Sequence, residues 1–269
     1  MKITKISIQK NNKERYNVFG SLNGQQEQFV FGVHESVLIK HRLQKGTTLT
    51  DGQMKEIQEE DQLAFAKSYA LSYVSRKMRT ETEVENVLVD QEVPMQMIGE
   101  AIAYMKERGY INDEEYARSY VNYTMSTTNK GPNRIKMYLQ DKGVKDQWIQ
   151  RALEIYTYDQ QLETARAVVN KNDRVDRDSI QMRKKKHTDR LSRQGFTFDV
   201  IQEALAQFDW DRSDETVALE KIAEKQLRKL QRKYEGRELE QRFTQQMMQR
   251  GFQYQEIQAY LNKQTDMEE

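Results

Sequence analysis

Three isolated glycines set at a fixed distance from apolar residues constrain this chain more than anything else in it. Ile135, Tyr138 and Leu139 fall at i, i+3 and i+4, and Gly143 follows Leu139 by four residues, where a helix end requires a left-handed backbone. Beyond Gly143, Ile149, Ala152, Leu153 and Tyr156 repeat the i, i+3, i+4, i+7 spacing of a second helix. The same spacing surrounds Gly195, with Leu191, Ile201 and Leu205, and Gly251, with Met247, Ile257 and Leu261. A fourth copy has Glu92 in the glycine's place, with Leu88, Ile98 and Ile102. Reference positions spaced 51, 52 and 56 residues apart are the mark of a helical repeat array. The expected organisation is four three-helix repeats over 61–111, 112–157, 158–210 and 211–269, preceded by a β-rich segment over 1–60.

Composition bears on how such triplets assemble. With 37% hydrophobic and 32% charged residues and a mean hydropathy of −0.95, the chain is polar for one closed globule. It suits narrow helix triplets stacked into an extended, mostly α array. The absence of cysteine excludes disulfides, thiolate metal sites and a cysteine nucleophile. The amino terminus, MKITKISIQKNN, lacks the apolar core of a signal peptide and no stretch approaches a membrane span, so a cytoplasmic monomer is expected.

In chain order, Ile6 and Ile8, then Tyr16 and Val18, alternate with polar residues. Asn23-Gly24 reads as a tight hairpin turn into Gln28-Phe29-Val30-Phe31, giving a three-stranded antiparallel sheet. A helix over Glu35 to Leu43 ends at Lys45-Gly46, and Thr50 with Gln53 forms a capping box that opens a further short helix. A long helix is expected from Asp61 to Met78. Thr80 with Glu83 starts the next, and Pro94 the one after. Asn112 caps a helix bearing Tyr116, Tyr120 and Tyr123, and Pro132 opens its successor. The third repeat takes Asp159 to Asn170, Ser179 to Gln194 and Phe198 to Phe208. The fourth takes Asp214 to Tyr234, Arg237 to Arg250 and Tyr254 to Leu261, with a frayed acidic end at Asp266, Glu268 and Glu269.

Chemistry-bearing constellations do not emerge from this pattern. His34, His41 and His187 read as solvated side chains without an acidic partner at metal-ligand spacing, no glycine-rich phosphate loop occurs, and the carboxylates read as surface ion pairs. No catalytic residue, metal or cofactor is expected. The basic runs carry the functional signal. Between Asp178 and Arg193 there are 6 basic residues against 2 acidic: Arg183, Lys184, Lys185, Lys186, Arg190 and Arg193. From Lys221 to Arg237 there are 7 against 2, including Lys225, Arg228, Lys229, Arg232 and Lys233. A smaller set, Lys130, Arg134, Lys136 and Lys142, lies in the second repeat. Such runs neutralise phosphates with release of counterions, and without a base-reading motif the contact would be indifferent to sequence. The tyrosines either stack on bases or fill the core with their hydroxyls at its rim. A stand-alone DNA-binding protein of helix-turn-helix-like units is the alternative use of such triplets.

The run Gly109 to Val121, GYINDEEYARSYV, resembles the RecX family of bacterial regulatory proteins, and KGPNRIKMYLQDKGV downstream strengthens the match. The resemblance extends through Ala70-Leu71 and Val74 of the first repeat and LSRQGF of the third, over about Asp61 to Leu205. The amino terminus and the fourth repeat are less diagnostic. It implies a non-enzymatic modulator of the RecA recombinase: a curved array lying along the RecA–DNA filament, with single- or double-stranded DNA as a further partner, that suppresses ATP hydrolysis and strand exchange in recombination and repair.

Overall fold

The computed structural model describes residues 1–21, 26–174 and 178–265. Strands β1 (Lys2–Ile8), β2 (Arg15–Ser21) and β3 (Gln28–His34) form one antiparallel sheet in that order, with Ile6 opposite Val18 and Val18 opposite Phe31. The expected Asn23-Gly24 turn lies outside the described residues, as do Asp266, Glu268 and Glu269. Among the described residues thirteen helices follow. A short α1 (Glu35–Lys40) precedes four triplets: α2 (Asp51–Val74), α3 (Glu81–Val89) and α4 (Met95–Glu107); α5 (Asp113–Thr127), α6 (Pro132–Asp141) and α7 (Asp146–Leu153); α8 (Tyr158–Asn172), α9 (Ile180–Gln194) and α10 (Phe198–Ala206); α11 (Arg212–Gln231), α12 (Gly236–Gln249) and α13 (Tyr254–Thr265). The chain divides into two compact units, Met1–Ala117 with Leu139–Ile149, and Arg118–Tyr138 with Gln150–Glu269.

In the first unit the sheet leans on α2, and this corrects the expected break near residue 60. The Thr50–Gln53 capping box opens one continuous helix that runs to Val74, rather than a short helix followed by another from Asp61 to Met78. Nothing between Gln53 and Asp61 interrupts a helix, and a lone three-stranded sheet needs a covering surface. Ile57 on the first turns of α2 joins Ile3, Val18, Phe31 and Val33 of the sheet, while Ala66 and Ala70 further along join Val84, Leu88, Ile98 and Met105. Asp61, read from sequence as a helix start, sits buried in mid-helix. It accepts a hydrogen bond from the His34 backbone at 2.6 Å and pairs with Arg15 at 2.6 Å, tying two strands to α2. Helix α1 ends at Lys40 rather than Leu43, because Arg42 already turns left-handed at φ 49° and sends the Leu43 N–H back to the Leu38 carbonyl.

The repeat landmarks take the same conformation in all four triplets. Gly143, Gly195 and Gly251 have φ of 75°, 91° and 90°, and Glu92 adopts 57° in the equivalent place. After each, the next residue donates its N–H to the carbonyl of the landmark four residues before the turn: Val93 to Leu88, Val144 to Leu139, Phe196 to Leu191 and Phe252 to Met247. This is the Schellman closure of a helix end, and its apolar follower is buried each time. Leu88, Leu139, Leu191 and Met247 are fully buried, as are Ile149 and Ile257, with Ile98 and Ile201 nearly so. Leu153 and Leu261, ten residues past the glycine, are only half-buried.

The turns also make the joints between successive triplets. In the first unit, the Thr80 hydroxyl, the N-cap of α3, donates to the Lys142 carbonyl at 2.7 Å just before Gly143, and Asp113 accepts from the Glu81 backbone at 2.9 Å. In the second unit, Ser179, the N-cap of α9, donates to the Arg250 carbonyl at 2.7 Å, and Glu215 accepts from the Ile180 backbone at 2.6 Å. At the joint of α6 with α9, Pro132 has no N–H to satisfy. There the Gly131 and Asn133 backbones donate to the Gln194 and Gly195 carbonyls, at 2.8 and 3.0 Å. Burial pushes the carboxyls of Asp113 and Glu215 above their ordinary range, although each accepts a backbone N–H. Thr80→Ala removes both the cap of α3 and the partner of a joint carbonyl, and is expected to cost about 1–2 kcal/mol in urea unfolding.

Candidate nucleic-acid interface

The basic residues singled out by sequence divide sharply once placed on their helices. Helix α9 buries one stripe, Arg183, His187 and Leu191, at i, i+4 and i+8. Arg183 is therefore not part of a solvent-facing cluster. Its side chain is 3% exposed, forks onto Asp173 at the end of α8, and reaches Asp214 of α11 at 3.3 Å. His187, expected in solvent, is buried as well and meets the same Asp173 carboxylate at 3.0 Å. Trp210 lies over this group, 5.3 Å from the Arg183 guanidinium, and donates its indole N–H to the Leu205 carbonyl at 2.8 Å. Burial acts to raise the Asp173 carboxyl, but the hydrogen bonds and charges of Arg183 and His187 outweigh it and hold it below the usual carboxylate range. The reading of nearly all carboxylates as surface ion pairs does not hold for Asp173, nor for Asp61.

Lys142 is likewise occupied. Its ammonium lies 2.8 Å from Glu83 at the joint between α3 and α6. Burial works to raise the Glu83 carboxyl, while Lys142 and the Thr80 backbone hold it low. Lys142 thus serves the joint beside Gly143, and the other members of its set lie elsewhere.

The remaining candidates all belong to the second compact unit. On α9, Lys184, Lys185 and Lys186 are exposed; Lys186 pairs with Asp178 at 2.5 Å, while Lys184 and Lys185 make no ion pair among the described residues. Lys184 stands 5.2 Å from the Trp210 ring, and both line a groove of about 600 Å³ together with Glu215 and Glu256. Arg190 is half-buried, and the exposed Arg193 donates back to the Asp189 carbonyl. On α11, Lys225, Arg228 and Lys229 stand in solvent opposite the buried Ala218, Leu219 and Ala223, with Arg228 paired to Glu224 at 2.6 Å. Arg232 and Lys233 lie past the helix end, where cations suit the negative pole of the helix dipole. Arg134 is exposed at the start of α6, with Lys136 half-buried two residues on and Lys130 just before the helix. The bury-and-expose pattern could have been read from Leu191, since a stripe drawn back from it by fours passes through His187 and Arg183.

Among the described residues, no group of three or more histidine, aspartate or glutamate side chains gathers as metal ligands would, and no helix is long and apolar enough to cross a membrane. An arrangement of cations exposed on three successive triplets can hold a polyanion by charge.

Comparison with known proteins agrees with this organisation. The model of the "Regulatory protein RecX N-terminal domain" matches residues 1–50, and models of the first and second RecX three-helix domains match 66–105 and 112–153. The third three-helix domain of that family matches 213–261, the last triplet here. The likeness therefore extends to both ends that the sequence motifs left undiagnostic. "Regulatory protein RecX" of Halalkalibacterium halodurans is 35% identical over 263 residues, covering 97% of this chain and 98% of that one. Its namesake in Staphylococcus carnosus is 33% identical over 258 residues, 95% of each. Among solved structures, one titled "Crystal structure of regulatory protein RecX" aligns with a TM-score of 0.60 at 33% identity, covering 77% of this chain and 99% of its own. RecX from Lactobacillus salivarius aligns at 0.53 and 33%, covering 55% and 97%.

Proposed function

Because the chain belongs to the RecX family of regulatory proteins, we propose that it binds the RecA–DNA filament and suppresses the recombinase's ATP hydrolysis and strand exchange. The observation that carries this reading is the set of unpaired cations on successive triplets of a chain that matches such regulators from end to end. A nucleoprotein filament offers phosphate and acidic side chains along its length, and cations presented repeat after repeat engage it additively, with a steep dependence on salt. The protein acts as a cytoplasmic monomer, by occupancy rather than by chemistry of its own.

The test is RecA ATP turnover on single-stranded DNA. Stoichiometric protein is expected to depress it, and unchanged turnover refutes the reading. Lys184→Glu with Lys185→Glu is expected to raise the half-inhibitory concentration on the order of tenfold, more at low salt than at high, with no change in the thermal melt. Reversing Arg183 in the same variant would confound the result, since that side chain holds α8, α9 and α11 together. Tight, base-selective binding of duplex DNA by this chain alone would favour a stand-alone DNA-binding protein instead.

A further inference from the structure

Each glycine turn in this chain is seated on the start of the second helix of the triplet before it. The turn after α6 sits on α3, the turn after α9 on α6, and the turn after α12 on α9. Fit is close in all three: a Cβ added at Gly143, Gly195 or Gly251 would lie under 3.0 Å from Thr82, Arg134 or Ser179 respectively. The residue just before each receiving helix is small and donates to the carbonyl that precedes the glycine. Thr80 and Ser179 use their hydroxyls, toward Lys142 and Arg250, and Gly131 uses its backbone N–H, toward Gln194.

Two pieces of this pattern are left over. The start of α12 receives no turn: Glu235, Gly236, Arg237 and Glu238 are exposed, Glu235 makes no side-chain cap, and a Cβ at Gly236 would meet nothing within 4 Å among the described residues. The turn after α3 has no helix to sit on, and Asp90, Gln91 and Glu92 are exposed. Glu92 nevertheless closes its helix end with φ 57°, in the same left-handed region as the three glycines. One copy's first turn is thus the piece that matches another copy's α12, and a head-to-tail contact of that kind propagates instead of closing.

We propose that Glu92 and Glu235 are end-stops, which keep a second copy of this chain from seating its first turn on α12. Of the four landmarks only Glu92 carries a Cβ, and the three occupied seats leave no room for one. On the receiving side, Glu235 places a long carboxylate, an acceptor only, where the occupied seats have a small donor. The Gln91 carbonyl of an incoming turn would find no hydroxyl there. The backbone at Glu92 supports the same assignment. A left-handed conformation is costlier for glutamate than for glycine, and the first turn gains from that strain only if its side chain excludes something. The inference concerns copies of this chain alone and stands apart from the filament reading, since it needs neither recombinase nor DNA.

The experiment divides the two stops between two full-length chains. Glu92→Gly frees the turn and leaves α12 blocked, while Glu235→Ser frees α12 and leaves the turn blocked. Neither change opposes its local backbone, because glycine favours φ 57° and serine is a good N-cap in the extended conformation of residue 235. Sedimentation velocity is run at about 100 μM, where a contact with a Kd of about 10 μM is mostly formed, and circular dichroism checks that each chain is folded. Wild type and each variant alone are expected to sediment as monomers, and an equimolar mixture of the two variants as a 1:1 dimer. Putting both changes in one chain should give longer species that grow with concentration. Glu92→Ala, which removes the charge and keeps the Cβ, is expected to form no dimer with Glu235→Ser. Any one of four results overturns the proposal: self-association of the wild type, association of either variant alone as strong as that of the mixture, a mixture of folded variants that stays monomeric, or a dimer formed as readily with the alanine variant as with the glycine one.

Discussion

Gly195→Ala is expected to destabilise the second compact unit by about 4 kcal/mol in urea unfolding, while Gly109→Ala costs about 1–2 kcal/mol. Both glycines have a left-handed backbone, with φ of 91° and 73°, so the conformational penalty for an L side chain is common to the two. What differs is the space around them. A Cβ at Gly109 would meet nothing within 4 Å, but one at Gly195 would lie 2.4 Å from the Arg134 backbone nitrogen and 2.8 Å from its Cβ. The start of α6 cannot retreat without breaking the hydrogen bonds from Gly131 and Asn133 to the Gln194 and Gly195 carbonyls. Strain and overpacking therefore add at Gly195. Equal costs for the two alanines would mean that the joint between α6 and α9 has slack, and that these glycines serve their own helix ends alone.

Arg183→Ala is expected to cost about 3–5 kcal/mol, against a change within about 0.5 kcal/mol for the neighbouring Lys185→Ala. Removing the guanidinium leaves the Asp173 carboxylate, 6% exposed, without its main counter-charge, and frees Asp214. The effect depends on pH with a definite sign. In the folded chain the Asp173 carboxyl is held below its ordinary value, so its contribution to stability is complete above the unfolded value of about 4 and is lost as pH falls through the folded one. Melts of the wild type and of Arg183→Ala should accordingly differ most at neutral pH and converge in acid. Parallel profiles, or an equal cost at Lys185, would return Arg183 to the surface cluster that the sequence suggested.

Sequence reading succeeded where local rules act. The capping boxes at Thr50 and Thr80, the Asn112 cap, the prolines beside helix starts and the left-handed glycines each depend on residues within a few positions of one another. It erred where the deciding partner is remote in the chain. Asp61 looks like a helix start until His34 and Arg15 are seen to need it. Arg183 looks like the head of a lysine run until Asp173 and Asp214 close on it. Lys142 was sorted with surface cations because its neighbours in sequence are polar, while its partner Glu83 lies on α3, three helices before α6. Of the candidate interface, the exposed lysines of α9 and α11 were legible from amphipathic spacing, but the stacking of Tyr120 on Tyr138 was not, since it depends on how two helices meet.

By itself, then, the sequence determined where the left-handed helix ends at Glu92, Gly143, Gly195 and Gly251 fall and which apolar residues flank them, because helix periodicity and left-handed helix ends are properties of short stretches. Tertiary structure alone decided which charges are free. A cation's availability depends on the carboxylates that other helices bring to it, and a hydrophobic period says nothing about where those helices come to rest.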